Sequence, residues 1–413
     1  MNILFVHQSF PGQFLHLASA LAADPQHAVW ALTMRQDAPA QWQGVRMVPY
    51  RPARGSTPDI HPWMVDLETK AIRAEAAMRA ALQLRAGGFV PDVIVAHPGW
   101  GESLCLKDVW PRARLGIYCE FFYHAQGADV GFDPEFNSGD PGDPGEVARL
   151  RLKNFNNLLH FEVADAGIAP TRWQASTFPE PFRQRITVVH DGIDTQAIAP
   201  NPQVRVRLGS GLELSRNDEV ITFVNRNLEP YRGYHIFMRA LPEILRRHPR
   251  AQVLLVGGND VSYGARPPHG QTWAGIFAAE AQGLMPAADW ARVHFLGHVP
   301  HAQFIGLLQL STVHVYLTYP FVLSWSLLEA MSAGCAIVGS NTQPLHEAIV
   351  DGETGRLVDF FDVQALADAV CGLLDDAPAR AAMGGRARAF AQAHYDLHRV
   401  CLPRQLEWVR GLG

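Results

Sequence analysis

Two kinds of stretch alternate along this chain. Short apolar, often β-branched runs occupy residues 3–6, 29–33, 45–49, 92–96, 114–118, 164–169 and 186–189, and again 220–225, 252–256, 313–317 and 335–339. Runs of this length without polar alternation predict strands covered on both faces. Between them, apolar positions recur at three- and four-residue spacing, which predicts helices over 14–23, 62–85, 149–161, 234–245, 365–374, 379–394 and 397–412. Thr171 is placed to cap a further helix, and Ser324 to cap one carrying Leu327, Leu328 and Met331 and ending near Gly334. Strands alternating with helices through the whole length predict a doubly wound α/β architecture. At 413 residues the chain exceeds what one core normally supports, so two such domains are expected, with the linker at Asn201-Pro202.

Ligands of open parallel sheets gather beyond the carboxyl ends of the strands, and several polar residues fall there. His97 and Glu102 follow the strand at 92–96; each is either a site residue or a structural, capping group. Glu120 interrupts the apolar run CEFFY with His124 four residues on; it is either a satisfied core carboxylate or a group facing a binding site. Gly12, in the first loop, either lets the backbone approach a neighbour or makes a turn. Arg226 and Arg232 bracket a loop punctuated by Pro230 and Gly233, where two guanidinium groups are able to clamp a dianion; the alternative is two solvent-facing arginines. The helix start at Ser324 offers backbone N–H groups and a dipole suited to phosphate, and Glu329 lies where a carboxylate can accept from a ribose hydroxyl. The acidic residues Asp129, Asp133, Glu135, Asp140 and Asp143 match no calcium-loop spacing and predict a solvated loop. No G-x-G-x-x-G is present.

Composition narrows the class without naming the chemistry. Hydrophobic residues make up 48% and the net charge is −5, which is a folded protein and a poor general nucleic-acid binder. Only Lys70, Lys107 and Lys153 are lysines among 35 basic residues. Five scattered cysteines show no metal-ligand spacing and suit a reducing cytoplasm. The opening residues lack a charged n-region, and no apolar run approaches the length of a membrane span, so a cytoplasmic protein is expected, with peripheral membrane contact left open.

In combination these motifs resemble the retaining glycosyltransferases of the GT-B fold, family GT4. Their E-x7-E segment reads P-x-E-G-F-G-x-x-x-x-E-A-M-A-x-G; Glu329, Ala330, Met331, Ala333 and Gly334 fit its second half. Phe321 stands at the first glutamate, which in the family contacts the donor sugar, and Val322, Leu323 and Ser324 replace Gly-Phe-Gly. Arg226, Arg232 and Gly233 resemble the G-R-…-K-G loop that holds the donor diphosphate, with Asn225 for the glycine. Residues 293–300 resemble V-x-F-x-G-x-V, which lines the nucleobase pocket through backbone groups. His190-Asp191-Gly192-Ile193-Asp194 resembles the turn at which the family's chain leaves its first domain, and Glu347 with residues 351–355 resembles a late structural segment. Glu120 falls near a family histidine that contacts the sugar.

The resemblance implies a GT-B protein whose two Rossmann-like domains, 1–200 and 201–394, face one cleft, with 395–413 crossing back to the first. It implies Arg226, Arg232, Glu120 and His97 as the catalytic set. Glu329, Ser324, Trp325, Leu323 and Phe321 would contact the donor from one loop and helix, with Val299, Gly257 and Gly12 (beside Pro11 and Gln13) completing the contacts. The activity implied is metal-independent, cofactor-free transfer of a hexose from a UDP- or GDP-linked donor to a hydroxyl of a glycan, lipid-linked or small-molecule acceptor, with retention. Two other classes fit less of the pattern. One is another GT-B enzyme, such as an epimerase or a lysine-bound pyridoxal phosphate phosphorylase. The other is a non-catalytic nucleotide-sugar-binding protein, suggested by Phe321.

Overall fold

The computed structural model describes residues 1–136 and 143–413. The chain divides into two compact units. One holds Met1–Gly131, the described residues from 143 to Gly192, and His398–Gly413; the other holds Phe132–Phe136 and Ile193–Leu397. The division therefore falls at Gly192/Ile193 and Leu397/His398, where the sequence reading set 200/201 and 394/395, and the segment Phe132–Phe136 belongs to the second unit.

The first unit is built on one sheet of β1 (Asn2–Val6), β2 (Ala28–Thr33), β3 (Gln41–Trp42), β4 (Val45–Pro49), β5 (Val93–Ala96), β6 (Arg114–Tyr118), β7 (Ala166–Ala169) and β8 (Ile186–Val188). Their order is β3-β4-β2-β1-β5-β6-β7-β8, parallel except for the short β3. Alternate residues of β1 enter opposite cores, as a sheet covered on both faces requires. Ile3 and Phe5 pack with Leu17, Leu21, Trp408 and Val409, while Leu4 and Val6 pack with Ala77, Ala81 and Leu106. The helix Val65–Ala86 reads as alanine with few large anchors because its inward face, from Ala74 to Ala81, lies against the sheet with small side chains.

In the second unit, β9 (Arg205–Arg207) and β10 (Glu213–Ser215) form a hairpin. The main sheet then comprises β11 (Val220–Asn227), β12 (Gln252–Gly258), β13 (Val293–Gly297), β14 (Val313–Tyr316), β15 (Ala336–Ser340) and β16 (Arg356–Val358), all parallel, in the order β13-β12-β11-β14-β15-β16. The chain reverses its direction of growth between β1 and β5 in one sheet and between β11 and β14 in the other. Those crossovers splay the loops at the strands' carboxyl ends and open a crevice.

Three expectations change. The single helix predicted over 149–161 is two, Pro144–Lys153 and Phe155–Val163. Asn154 joins them because its side chain bonds both the N–H and the carbonyl of Tyr123. The terminal helix is Leu402–Arg410, preceded by the wide turn Leu397–Cys401, with Pro403 supplying no amide in the first turn. The acidic loop is not wholly solvated. Phe132 and Phe136 are aromatic anchors, against Tyr319, Phe360 and Phe361 and against His235, Trp273 and Phe277 respectively. They carry the buried Asp133 with them, while Asp140 lies outside the described residues. Among the described residues all five cysteines are free, and no helix is long and apolar enough to cross a membrane.

Candidate active site

At the crossover of the second sheet, β11 ends in Asn225-Arg226 and β14 leads through residues 317–324 to the helix Trp325–Ser332. A cavity of about 310 Å³ opens there, lined by Arg226, Val299, Ser324, Trp325 and Glu329, with His298 and His301 on its rim. Arg226 is exposed, and among the described residues its guanidinium has no side-chain hydrogen bond or ion pair. Glu329 is only 8% exposed. Its Oε1 lies 2.8 Å from His301 Nε2, and that hydrogen bond raises the His301 pKa above its ordinary 6.5. A raised value means the pair contributes fully below about pH 6.5 and fades as pH climbs through the folded value. Glu329→Gln should return the His301 titration, followed by imidazole NMR, to about 6.5; an unmoved midpoint would show that the carboxylate is not its cause.

Ser324 is the N-cap, its Oγ accepting from Ser326 N–H at 3.3 Å. The amides expected to stand free for phosphate are partly used. Ser324 N–H donates to Tyr316 Oη at 3.0 Å and Leu327 N–H to the Ser324 carbonyl. The same capping that defines the helix start thus competes with an anion for its donors.

Arg232 does not share the cavity wall with Arg226, as the sequence led one to expect. Gly233, at φ +68 with Leu317 where a Cβ would sit, turns the chain inward, and Arg232 is 6% exposed. Its Nη1 donates to Thr318 Oγ1 at 2.7 Å, the Val322 carbonyl at 3.1 Å and Tyr316 Oη at 3.3 Å, with the Tyr263 ring 5.4 Å from the guanidinium. Since Tyr316 Oη also receives Ser324 N–H, Arg232 supports the loop from behind. Phe321 is buried against Tyr231 and Tyr263, and Leu323 belongs to the apolar core, so neither lines the cavity. Gly257 lies one residue beyond the lining Val256. The Glu229 carboxylate accepts from Ser262 N–H, tying down the loop that carries Tyr263.

The first sheet's crossover carries its own cluster. His7 follows β1, and His97 follows β5. Ser9 N–H donates to His7 Nδ1, leaving Nε2–H to donate to Gln13 Oε1 at 2.8 Å, and Gln13 Nε2 donates to Glu120 Oε1 at 3.3 Å. Gly12 is required because a Cβ would stand 2.2 Å from His7 Nε2; its close approach is to this ring. His97 stacks on Trp100 and Tyr118 with Nε2 3.5 Å from Glu120 Oε2. Burial, then His97, pushes His7 down to about 3. Burial alone would raise Glu120, but His97, His7 and Gln13 outweigh it and hold the carboxyl below its ordinary value. Glu120 is therefore an ionised, half-exposed carboxylate opening on a cavity of about 220 Å³ that Lys70, Arg73 and Lys153 also line. Glu102, by contrast, is fully buried, accepting from Tyr50 Oη at 2.7 Å, and His124 bonds the Thr177 carbonyl; both are structural.

Sequence reasoning missed His7, His301, Lys70, Arg73 and Lys153. His7 was findable by the strand-end rule that selected His97. The basic side chains come from helices whose inward faces show only in three dimensions. Among the described residues no group of three His, Cys, Asp or Glu is arranged to hold a metal ion.

Comparison with known proteins matches these features. Residues 25–198 fit the family model of the glycosyl transferase family 4 group, and residues 211–390 that of glycosyl transferases group 1. The chain is 28% identical over 251 residues to a GDP-mannose-dependent alpha-(1-6)-phosphatidylinositol monomannoside mannosyltransferase of Mycolicibacterium smegmatis, covering 59% of this chain and 61% of that protein. It is 31% identical over 212 residues to a D-inositol 3-phosphate glycosyltransferase of Mycobacterium avium, covering 50% and 45%. The chain thus spans less than two thirds of either relative. Among solved structures, Anabaena HepE in complex with UDP and glucose superposes with a TM-score of 0.69 at 18% identity over 99% of both chains. Sucrose-phosphate synthase from Thermosynechococcus elongatus gives 0.71 at 20% identity over 100% of this chain and 99% of that one. The two sheets have the architecture of these neighbours, the two family models between them take in most of the sequence, and the chain belongs to the GT4-type glycosyltransferases of the GT-B fold.

Proposed function

We propose that this protein transfers a hexose from a nucleotide-diphosphate sugar to an acceptor hydroxyl, with retention and without a metal. The observation that carries this reading is the cavity at the β11/β14 crossover, where an unpaired guanidinium, Arg226, stands with a buried carboxylate, Glu329, and a capped helix start. Arg226 would bind the diphosphate, Glu329 a ribose hydroxyl, and Ser324, Trp325 and the Val299 backbone the rest of the nucleotide. Arg232 would act by positioning the loop and lending it positive charge. In transfer with retention on one face of the sugar, the departing phosphate oxygen takes the acceptor proton, so no protein nucleophile is needed; Glu120, oriented by His97 and Gln13, would hold a sugar hydroxyl. The names of the relatives, a GDP-mannose-dependent enzyme and an inositol phosphate glycosyltransferase, and the UDP in HepE support a sugar nucleotide as donor and a polyol or lipid-linked acceptor.

The test is thermal shift against UDP, GDP and their sugar conjugates, followed by turnover of whichever binds, with and without EDTA. Stabilisation by one diphosphate series and EDTA-insensitive release of the nucleotide are expected. Absence of any nucleotide-dependent shift would overturn the assignment. Phe321, packed into an aromatic cluster where the family carries a sugar-binding glutamate, favours a second reading, a sugar-nucleotide-binding protein without turnover; binding with no release of nucleotide would establish it.

A further inference from the structure

The first unit's cavity has a composition that sugar-hydroxyl recognition alone does not require. Two of the chain's three lysines, Lys70 and Lys153, line it together with Arg73, in a protein whose remaining positive charge is almost all arginine. Lys70 is neutralised by Asp66 at 2.7 Å. Lys153 and Arg73 are not: among the described residues neither has a carboxylate within ion-pair distance. Arg73 donates to the Gln8 side-chain carbonyl at 3.1 Å, and the Lys153 ammonium sits 3.7 Å from the centroid of the Tyr123 ring. Burial, with Lys70 and Arg149 nearby, pulls the Lys153 pKa below its ordinary value against the opposing pull of Asp129 and Asp66. A cation desolvated beside other cations is costly unless something anionic joins it.

One buried polar atom in the same wall also lacks a partner. Asn156 is 3% exposed; its Nδ2 bonds the Pro98 carbonyl while its Oδ1 accepts from nothing. His97, 1% exposed, accepts from Gly99 N–H at Nδ1 and turns its Nε2 to Glu120 Oε2 at 3.5 Å, so that ring nitrogen is taken up by the carboxylate. Native proteins leave few such atoms, and those in a cavity wall mark where a ligand completes the pairing. The wall therefore offers two cations with no carboxylate partner and one acceptor needing a hydroxyl donor, while its two carboxylates, Asp66 and Glu120, are held by Lys70 and by His97 with Gln13.

We propose that this cavity binds the acceptor substrate through an anionic substituent, a phosphate or carboxylate seated on Lys153 and Arg73, while a hydroxyl of the same polyol or sugar donates to Asn156 Oδ1. Resting on the glycosyltransferase reading above, this narrows the acceptor class to hydroxylated molecules carrying a negative group. Such a group is available from a free sugar phosphate or from the headgroup of an anionic glycerolipid.

The full chain is titrated with glucose, glucose 6-phosphate and glucuronate, and with vesicles of phosphatidylcholine with or without phosphatidylinositol, UDP and GDP serving as reporters of the second unit. Glucose 6-phosphate or glucuronate, or the phosphatidylinositol vesicles, should bind at least tenfold more tightly than their neutral counterparts, the responding arm naming the source. Lys153→Met should lower that affinity about tenfold or more and leave glucose and nucleotide binding as they were, with Lys153→Arg restoring most of it. Equal binding of charged and neutral probes by the parent protein overturns the proposal, as does a Lys153→Met loss that falls equally on glucose. Loss of nucleotide binding by the parent would instead strike the glycosyltransferase reading, since the reporters address the other unit.

Discussion

Arg226→Ala should lower turnover of the nucleotide sugar about 10²–10³-fold, the scale seen when one preorganised donor to a developing negative charge is removed. The effect should appear mainly in kcat, because negative charge grows on the bridging phosphate oxygen as the glycosidic bond breaks, and an interaction strengthened in the transition state acts on that step. Stability should stay within about 0.5 kcal/mol of the parent, since the side chain is exposed and among the described residues its guanidinium has no partner to lose. Arg226→Lys keeps charge without the planar fork and should recover only part of the rate. Arg232 offers no such clean test. Its three hydrogen bonds hold Thr318, Val322 and Tyr316 together, so its removal would damage fold and catalysis at once. Steady-state kinetics beside a urea titration decides the matter, and a parent-like kcat in Arg226→Ala would remove the residue from the site.

That contrast also shows what a linear pattern conveys. Both sheets are visible in the sequence because a parallel strand buried on two faces leaves a run of apolar residues, unbroken at Ile3–Val6 and broken only by the buried His314 at Val313–Leu317. The cap at Ser324 and the carboxylate at Glu329 are equally legible, being local in sequence. Whether an arginine in a loop points into a cavity or under a loop is not local. Arg226 and Arg232 look alike in the sequence, and the left-handed Gly233 and the oxygens of residues 316–322 decide that the second is buried. The same holds for Gly12, whose lack of a side chain leaves room for the His7 ring, which bonds Gln13 and through it Glu120. The basic wall at Lys70, Arg73 and Lys153 depends on two helices, Val65–Ala86 and Pro144–Lys153, far apart in the chain but meeting beside the carboxyl ends of β5 and β6, which no short motif records.

The largest stability effect should come from Asp133, in the segment that an acidic, glycine-rich composition disguised as solvated loop. Its side chain is 2% exposed; Oδ2 accepts from Tyr319 Oη at 2.7 Å and lies 3.0 Å from His235 Nε2, itself buried. Removing one member of a buried ionic group leaves the others desolvated and unpaired, which costs about 3–5 kcal/mol. Asp133→Ala should destabilise the second unit by that amount, read from the midpoint of its urea transition. Replacing the whole group by Asp133→Leu, His235→Leu and Tyr319→Phe together should restore most of the loss, because apolar side chains leave nothing unpaired. The pH dependence fixes the sign independently. Burial would raise the Asp133 pKa, but His235 and Tyr319 outweigh it and hold it below the ordinary 3.8. The stabilisation is therefore complete above about pH 3.8 and is lost as pH falls through the depressed folded value, so the gap between parent and Asp133→Ala should close in acid. An alanine variant within about 0.5 kcal/mol of the parent at neutral pH would mean that Phe132 and Phe136 alone hold the segment, with the carboxylate a passenger.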